Sequence, residues 1–271
     1  MKLPGGLLIE GRLAREFELA TPSGALDLRL HERSAAARGR HPDWVAELLG
    51  ELLVTLGGQP PRRAHIDALC PADRQAIVLA WRVRREPAPQ WWHLRCRQCE
   101  VLFDIAVSLA ELPFSPAGTD YPFAEAETRL GRVRVKMPNG HDLAWLADQD
   151  DPGRARAGLA HRLLVEPPLE WSPGEADIEA IEAAVEACLP ELAETLICRC
   201  PECDTENRLD LDPYSGLQPS LPSLLDDVHD LAIGYHWSEA EILALPESRR
   251  RAYLDRLDRQ RGLVGSVGAT S

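Results

Sequence analysis

The sequence predicts an α+β fold organised around a discontinuous four-cysteine, ribbon-like β unit, with a large α/β insertion and a C-terminal helical segment. Three observations predict it. Two C-x-x-C knuckles, Cys96-Arg97-Gln98-Cys99 and Cys200-Pro201-Glu202-Cys203, each follow a short apolar run and lead into an alternating stretch. Cys99 and Cys200 lie 101 positions apart, so a whole folded insertion must separate the halves of one unit. A Pro-, Ser- and Gly-rich stretch then precedes a strongly helical run. The resulting divisions are an N-terminal α+β region (1–90), the first half of the ribbon (91–109), the insertion (110–193), the second half (194–212), a linker (213–222), the helical segment (223–261) and a flexible tail (262–271).

The spacing of the knuckles follows from metal chemistry. Two residues between cysteines let a tight turn aim both sulfurs at one point, and a second knuckle completes a tetrahedron. Cys96, Cys99, Cys200 and Cys203 are therefore the expected ligands of a structural zinc ion, with no open coordination position for catalysis. A thioredoxin-like redox motif would open a helix, whereas strand-like residues follow both knuckles here. Cys198, two residues before Cys200, is read as packing, with replacement of Cys200 as ligand the alternative. Cys70 and Cys188 read as buried small residues. His93 is a fifth candidate ligand that four cysteines make unnecessary.

In chain order, Leu8–Leu13 and Ala25–Leu30 alternate and read as strands, with Pro22-Ser23-Gly24 as the turn between them and a loop over 32–41. Asp43–Leu53 places Trp44, Val45, Leu48, Leu49 and Leu52 on one broad helical face, stopped by Gly57-Gly58. Pro71 fits the first turn of a helix running through Trp81. Trp91-Trp92-His93 begins the strand entering the first knuckle and covers the ribbon. In the insertion, Pro113, Pro116 and Gly118 mark a loop and Arg132–Met137 alternates as a strand. Pro138-Asn139-Gly140 turns into a short helix from His141, and a second helix covers 156–164. Ser172-Pro173 reads as cap and first position of a helix whose apolar stripe is Ile178, Ile181, Val185, Cys188 and Leu192. Past the linker, Leu224, Val228, Leu231, Ala232 and Tyr235 form one stripe. Ser238 and Glu241 then form a capping box, with Trp237 and Ile242 at the staple positions around it.

The chain has 271 residues, is 45% hydrophobic and carries a net charge of −13. The acid excess argues against a nucleic-acid surface. No apolar run approaches the roughly 18 residues of a membrane span, and no secretory leader is evident at the N-terminus. Seven cysteines arranged as knuckles suit a reducing cytoplasm and a metal rather than a disulfide framework. His229 and His236, seven apart, read as packing or surface residues. No glycine-rich phosphate loop and no Ser/His/Asp set is evident, so neither an enzyme nor a small-molecule substrate is expected.

The run from Asp227 through Leu231-Ala232-Ile233-Gly234-Tyr235-His236-Trp237-Ser238-Glu239-Ala240-Glu241-Ile242 to Pro246, ending Arg249-Arg250-Arg251-Ala252-Tyr253-Leu254, resembles a known family. That family comprises baseplate and hub assembly proteins of T-even-type contractile phage tails and related phage-derived injection systems. Its "LA-x-x-Y-H-W-S-E-x-E-I-L-x-L-P" helix pair follows a C-P-x-C knuckle, and Cys200-Pro201-Glu202-Cys203, with Asn207 and the acidic strand after it, fits that order. Val133–Leu143 is similar to the family's strand followed by "P-T-G-x-D", with Asn139 in place of Thr. The match is specific over 195–257 and loose over 91–145. The resemblance implies a non-enzymatic structural or assembly protein in the host-cell cytoplasm, partnered by other baseplate or hub proteins. It leaves open a permanent part versus an assembly factor. The expected docking face is Tyr235, Trp237, Ile242, Arg250, Tyr253 and Leu254. The alternative is a zinc-ribbon regulator that binds nucleic acid through the C-terminal arginines.

Overall fold

The structure is a computed structural model that describes residues 1–36, 41–168, 170–215 and 220–262. It is α+β, and it forms two compact units: Met1–Leu19 with Gly39–Ser215, and Ala20–Arg38 with Gly216–Ser271. The expected continuous N-terminal region of 1–90 is thus divided between the units. The core of the expected linker (216–219) and all but the first residue of the expected tail (263–271) lie outside the described residues.

The chain opens with β1 (Lys2–Ile9) and β2 (Arg12–Leu19), an antiparallel hairpin in which Ile9 faces Arg12. Its two-residue turn, Glu10-Gly11, has positive φ at both positions (50° and 77°), which matches the twist of the flanking strands. Leu8–Leu13, expected as one strand, therefore contains a reversal. Next comes α1 (Gly24–Ala36), where the alternation of Leu26, Leu28 and Leu30 predicts a strand. The helix wins because Leu26 and Leu30, four apart, are both buried and Ser23 Oγ accepts the Leu26 amide at 3.2 Å as a cap. The expected loop over 32–41 is accordingly helical through Ala36, and 37–40 lie outside the described residues.

The helix α2 (His41–Leu52) buries Val45, Ala46, Leu48, Leu49 and Leu52. It passes directly into β3 (Leu53–Leu56), which pairs with β2 to give the sheet order β1-β2-β3. Gly57 and Gly58, both at positive φ, turn the chain after that strand rather than stopping the helix. Short α3 (Arg63–Asp67) leads to α4 (Pro71–Arg85), with Pro71 in its first turn and Ile77, Val78 and Trp81 fully buried. Asp73, in the first turn of α4, is fully buried and accepts the Gly5 amide at 2.7 Å and the Gly6 amide at 2.8 Å. These two amides belong to the irregular stretch of β1 where the β1–β2 register shifts. One carboxylate thus satisfies backbone donors that burial leaves without water.

Two hairpins carry the knuckles: β4 (Gln90–Arg95) with β5 (Leu102–Val107), and β10 (Thr195–Arg199) with β11 (Glu206–Asp210). Between them, β6 (Phe114–Ser115) pairs with β9 (Glu191–Leu192), and β7 (Phe123–Thr128) pairs with β8 (Gly131–Lys136). Three helices complete the insertion: α5 (Gly140–Leu146), α6 (Pro152–Leu163) and α7 (Glu175–Cys188). Asn139 caps α5 in a capping box with Asp142, and Asp151 caps α6. The expected Ser172-Pro173 start of α7 is displaced, because Asp177 in its first turn reaches back to the Gly174 amide at 2.9 Å and makes Gly174 the cap residue. Val135, Leu163, Ile178, Ile181, Val185 and Cys188 form most of a core in which the insertion packs on itself and on Cys70 and Ala72 at the start of α4.

The second unit is helical: α1 with α8 (Leu221–Tyr235), α9 (Glu239–Leu243) and α10 (Glu247–Gln260). Leu231, Ile242 and Leu257 form its centre. Gly234 permits close approach of α8 and α10, since a Cβ there falls 2.5 Å from Leu257 Cδ2. The capping box holds as expected: Glu241 accepts the Ser238 amide at 2.9 Å and Ser238 Oγ accepts the Glu241 amide at 3.3 Å. Arg250 is buried and joins three segments. It donates to Asp227 on α8 and Asp27 on α1, each at 3.2 Å, and to the Leu245 carbonyl at 2.9 Å.

Removing one partner of a buried ion pair costs about 3–5 kcal/mol, because the other charge stays desolvated. Arg250→Ala is expected to destabilise the helical unit by about that amount in urea titrations followed by far-ultraviolet circular dichroism. Arg250→Met combined with Asp27→Asn removes both desolvated charges and is expected to recover part of the loss.

Candidate metal centre

The two knuckles are built alike. In the first, the Cys96 amide donates to the Val101 carbonyl at 2.9 Å and the Glu100 amide to the Cys96 carbonyl at 3.0 Å. In the second, the Cys200 amide donates to the Thr205 carbonyl and the Asp204 amide to the Cys200 carbonyl, both at 3.0 Å. Glu100 and Asp204, each directly after the second cysteine, adopt left-handed backbone at φ 59° and 57°. That conformation costs a side-chain-bearing residue energy, and here it reverses the chain into the returning strand. In each pair the first cysteine is buried and the second exposed. Leu94 and Phe103 form the apolar floor with Cys96 and Cys200, and Trp92, Val101, Ile105, Cys198 and Leu209 pack around it.

The hairpins converge so that all four sulfurs lie within 4.8 Å of one another. Cys96 and Cys203 are 3.6 Å apart, as are Cys99 and Cys200. A disulfide needs about 2.05 Å, so neither pair is bonded. For metal–thiolate bonds of about 2.3 Å, the edge of a sulfur tetrahedron is about 3.8 Å. The sulfur separations fit that size, and the group can bind a metal ion through four protein ligands.

The electrostatics of the cluster divide the thiols in advance of any ion, with Cys96 and Cys203 lowered and Cys99 raised. The Cys99 amide, helped by the Gln98 amide and the sulfurs of Cys203 and Cys200, holds the Cys96 thiol down at about 6 against desolvation. The Val101 amide pulls on Cys99, but desolvation and the three neighbouring sulfurs outweigh it and push that thiol up to about 12. Cys203 is held low, chiefly by the hydroxyl and backbone of Thr205.

Cys198 lies on β10 outside this group, partly buried, with its thiol 3.6 Å from the Asn207 carbonyl. His93 projects from the exposed face of β4 and pairs with Asp104 at 2.5 Å, so it too lies outside the group. Cys70 and Cys188 are buried elsewhere. Of the expected docking residues, Tyr235, Trp237 and Tyr253 come together. Tyr235 stacks on Trp237 at 4.8 Å between ring centroids, and Tyr253 meets Trp237 edge-on at 4.9 Å. Leu254 packs beside them, half-buried. Two others do not belong to an exposed face: Ile242 is 0% exposed and Arg250 2%. Ile242 fills the centre of the helical unit, and Arg250 is consumed by its two carboxylates. The same burial removes Arg250 from the arginine cluster that the nucleic-acid alternative needs. Arg251 and Arg261 in that cluster are paired with Glu247 and Asp230.

No family model, curated protein or solved structure matches the chain. Among the described residues, no helix is long and apolar enough to cross a membrane.

Cys203→Ser removes one of the four clustered sulfurs. It is expected to abolish retention of metal through gel filtration, read by elemental analysis, and to lower the melting temperature of the ion-loaded protein. Metal binding requires thiolates, so protons compete with it. Because Cys96 is already ionised above about 6, calorimetry in buffers of different ionisation enthalpy is expected to show more protons released per ion below that pH than above it.

Proposed function

We propose that this chain is a non-enzymatic structural or assembly protein of a contractile-tail baseplate or a related injection particle, held together by a structural zinc ion and acting through protein–protein docking. The observation that carries the reading is the aromatic group Tyr235, Trp237 and Tyr253. Its members come from the very run that resembles the baseplate family, and each is only partly buried. The capping box fixes Trp237 at a helix start, and the Tyr235 hydroxyl reaches the Tyr253 carbonyl at 3.4 Å. Rigid, half-exposed aromatic rings lose little entropy on binding and make good interface anchors.

Zinc is the ion best suited to four thiolates in a tetrahedron. Four protein ligands leave no place for water or substrate, which supports a structural role and a non-enzymatic protein. The partners are other baseplate or hub proteins, and the site of action is the host-cell cytoplasm or the assembled particle.

Trp237→Ala tests the docking role. In pull-downs from cells expressing the neighbouring tail genes, the variant is expected to lose capture of its partner, with affinity weakened by about 2 kcal/mol or more. Its urea midpoint is expected to shift much less than that of Arg250→Ala. Normal particle assembly with the variant contradicts the reading.

A further inference from the structure

We infer that Asn207 is the positioning residue of the metal centre: its one carboxamide fastens the two knuckles to each other and presents an N–H to Cys96. The inference rests on the structural-metal reading above, and it concerns a residue outside the four ligands.

The two hairpins share no strand ladder, since β4–β5 and β10–β11 are separate two-stranded sheets. Among the described residues, the hydrogen bonds that cross between them run from sulfur to sulfur or involve Asn207. Asn207 sits on β11 opposite Cys198 and is 5% exposed. Its Oδ1 accepts the amide of Arg97, inside the first knuckle, at 3.0 Å. Its Nδ2 donates to the Thr205 carbonyl of the second hairpin at 2.8 Å and lies 3.8 Å from Cys96 Sγ. The orientation of the amide is fixed by its neighbours, because Arg97 N–H only donates and the Thr205 carbonyl only accepts.

The near-repeat of the hairpins makes this residue stand out. Counting seven positions on from the first cysteine of each knuckle gives Phe103 in one hairpin and Asn207 in the other. Phe103 is buried among apolar groups, so the equivalent place tolerates a hydrophobe. A buried carboxamide there is costly unless its bonds are met. The second departure from the repeat is complementary to the first. The residue after the leading cysteine is Arg97 in one knuckle and Pro201 in the other. Proline carries no N–H. The knuckle with a free amide thus receives the acceptor, and that acceptor stands on the hairpin whose own knuckle has no such amide to satisfy. Outer groups of this kind orient ligands and alter metal affinity by about 10–100-fold.

Asn207→Asp is the near-isosteric test. It keeps an oxygen for Arg97 N–H but replaces the N–H near Cys96 with a carboxylate oxygen, which also faces the Thr205 carbonyl. Zinc affinity of the full chain is measured by competition with a chromophoric chelator. Cobalt(II) substitution reports the thiolate-to-metal bands, and hydrogen exchange reports the Arg97 amide. In Asn207→Asp, zinc affinity is expected to fall about 10–100-fold and the cobalt bands to shift, while the Arg97 amide stays protected. In Asn207→Ala, affinity falls and that protection is lost as well. If Asn207→Asp does not fold, Asn207→Ala decides. Wild-type zinc affinity with unchanged cobalt bands in either folded variant overturns the inference and leaves the metal reading standing. Failure of the wild-type chain to take up zinc on four thiolates overturns both.

Discussion

Four sulfurs drawn within 4.8 Å of one another cannot all be ionised without a counter-charge. That constraint governs the architecture around them. Without an ion, the cluster must keep most of its protons, which is why Cys99 is driven to about 12 while Cys96 settles near 6. A divalent cation removes the conflict by replacing the protons with one central charge. The backbone prepares for this. In both knuckles the amide of the first cysteine is spent on the returning strand, and amides within the first turn point at Cys96 Sγ instead. The left-handed residues Glu100 and Asp204 make that turn tight enough.

The distance in sequence between the knuckles is less of a burden than it looks. Closing a loop costs entropy that grows only with the logarithm of its length. Here the closure is also shared. Near its ends the insertion pairs Phe114 with Leu192 and Ser115 with Glu191, and the Ala193 amide reaches the Pro113 carbonyl at 3.0 Å. Deeper in, the Gly118 amide meets the Cys188 carbonyl at 2.9 Å. The insertion also has its own core around Ile181 and Val185. The four-sulfur cluster therefore joins ends that β6 and β9 already hold near each other, so that the binding energy of an ion there would be available to fix the geometry of the hairpins.

The cysteine framework was legible because its spacing is set by coordination chemistry, which tertiary context does not alter. The capping box at Ser238 was legible for a similar reason, since its signature is local. Other features failed where two periods compete. Leu26, Leu28 and Leu30 satisfy a strand, while Leu26 and Leu30 alone satisfy a helix, and only the partners of α1 decide between them. The arginine run misled in a different way. Charge suggests exposure for Arg249, Arg250 and Arg251 alike, but Arg250 precedes Tyr253, Leu254 and Leu257 by three, four and seven positions and shares the helix side on which Leu257 is buried and the other two pack. That spacing was available in the sequence. Asp27, the carboxylate that makes burial tolerable, lies 223 residues away and gave no local signal. The bond from Asn207 to the first knuckle gave no local signal either, because it depends on an amide 110 residues earlier.

Both units are discontinuous in the chain, and this orders their formation. The helical unit takes α1 from between β2 and α2, which belong to the other unit, and then waits for the C-terminal segments. Until α8 and α10 are made, Asp27 has no Arg250 and Leu26 and Leu30 have no helical partners within their own unit. The first unit lacks its second knuckle for nearly as long. Local pieces, such as the β1–β2 hairpin and the core of the insertion, are complete much earlier and can fold as they emerge. The two long-range closures, four sulfurs in one unit and the buried Arg250–Asp27 pair in the other, then act on prefolded parts. Each of them demands a specific charge partner in a desolvated place, so an incorrectly docked arrangement leaves a buried charge exposed to its full desolvation cost. Both closures therefore favour one registration of the chain over its near-alternatives.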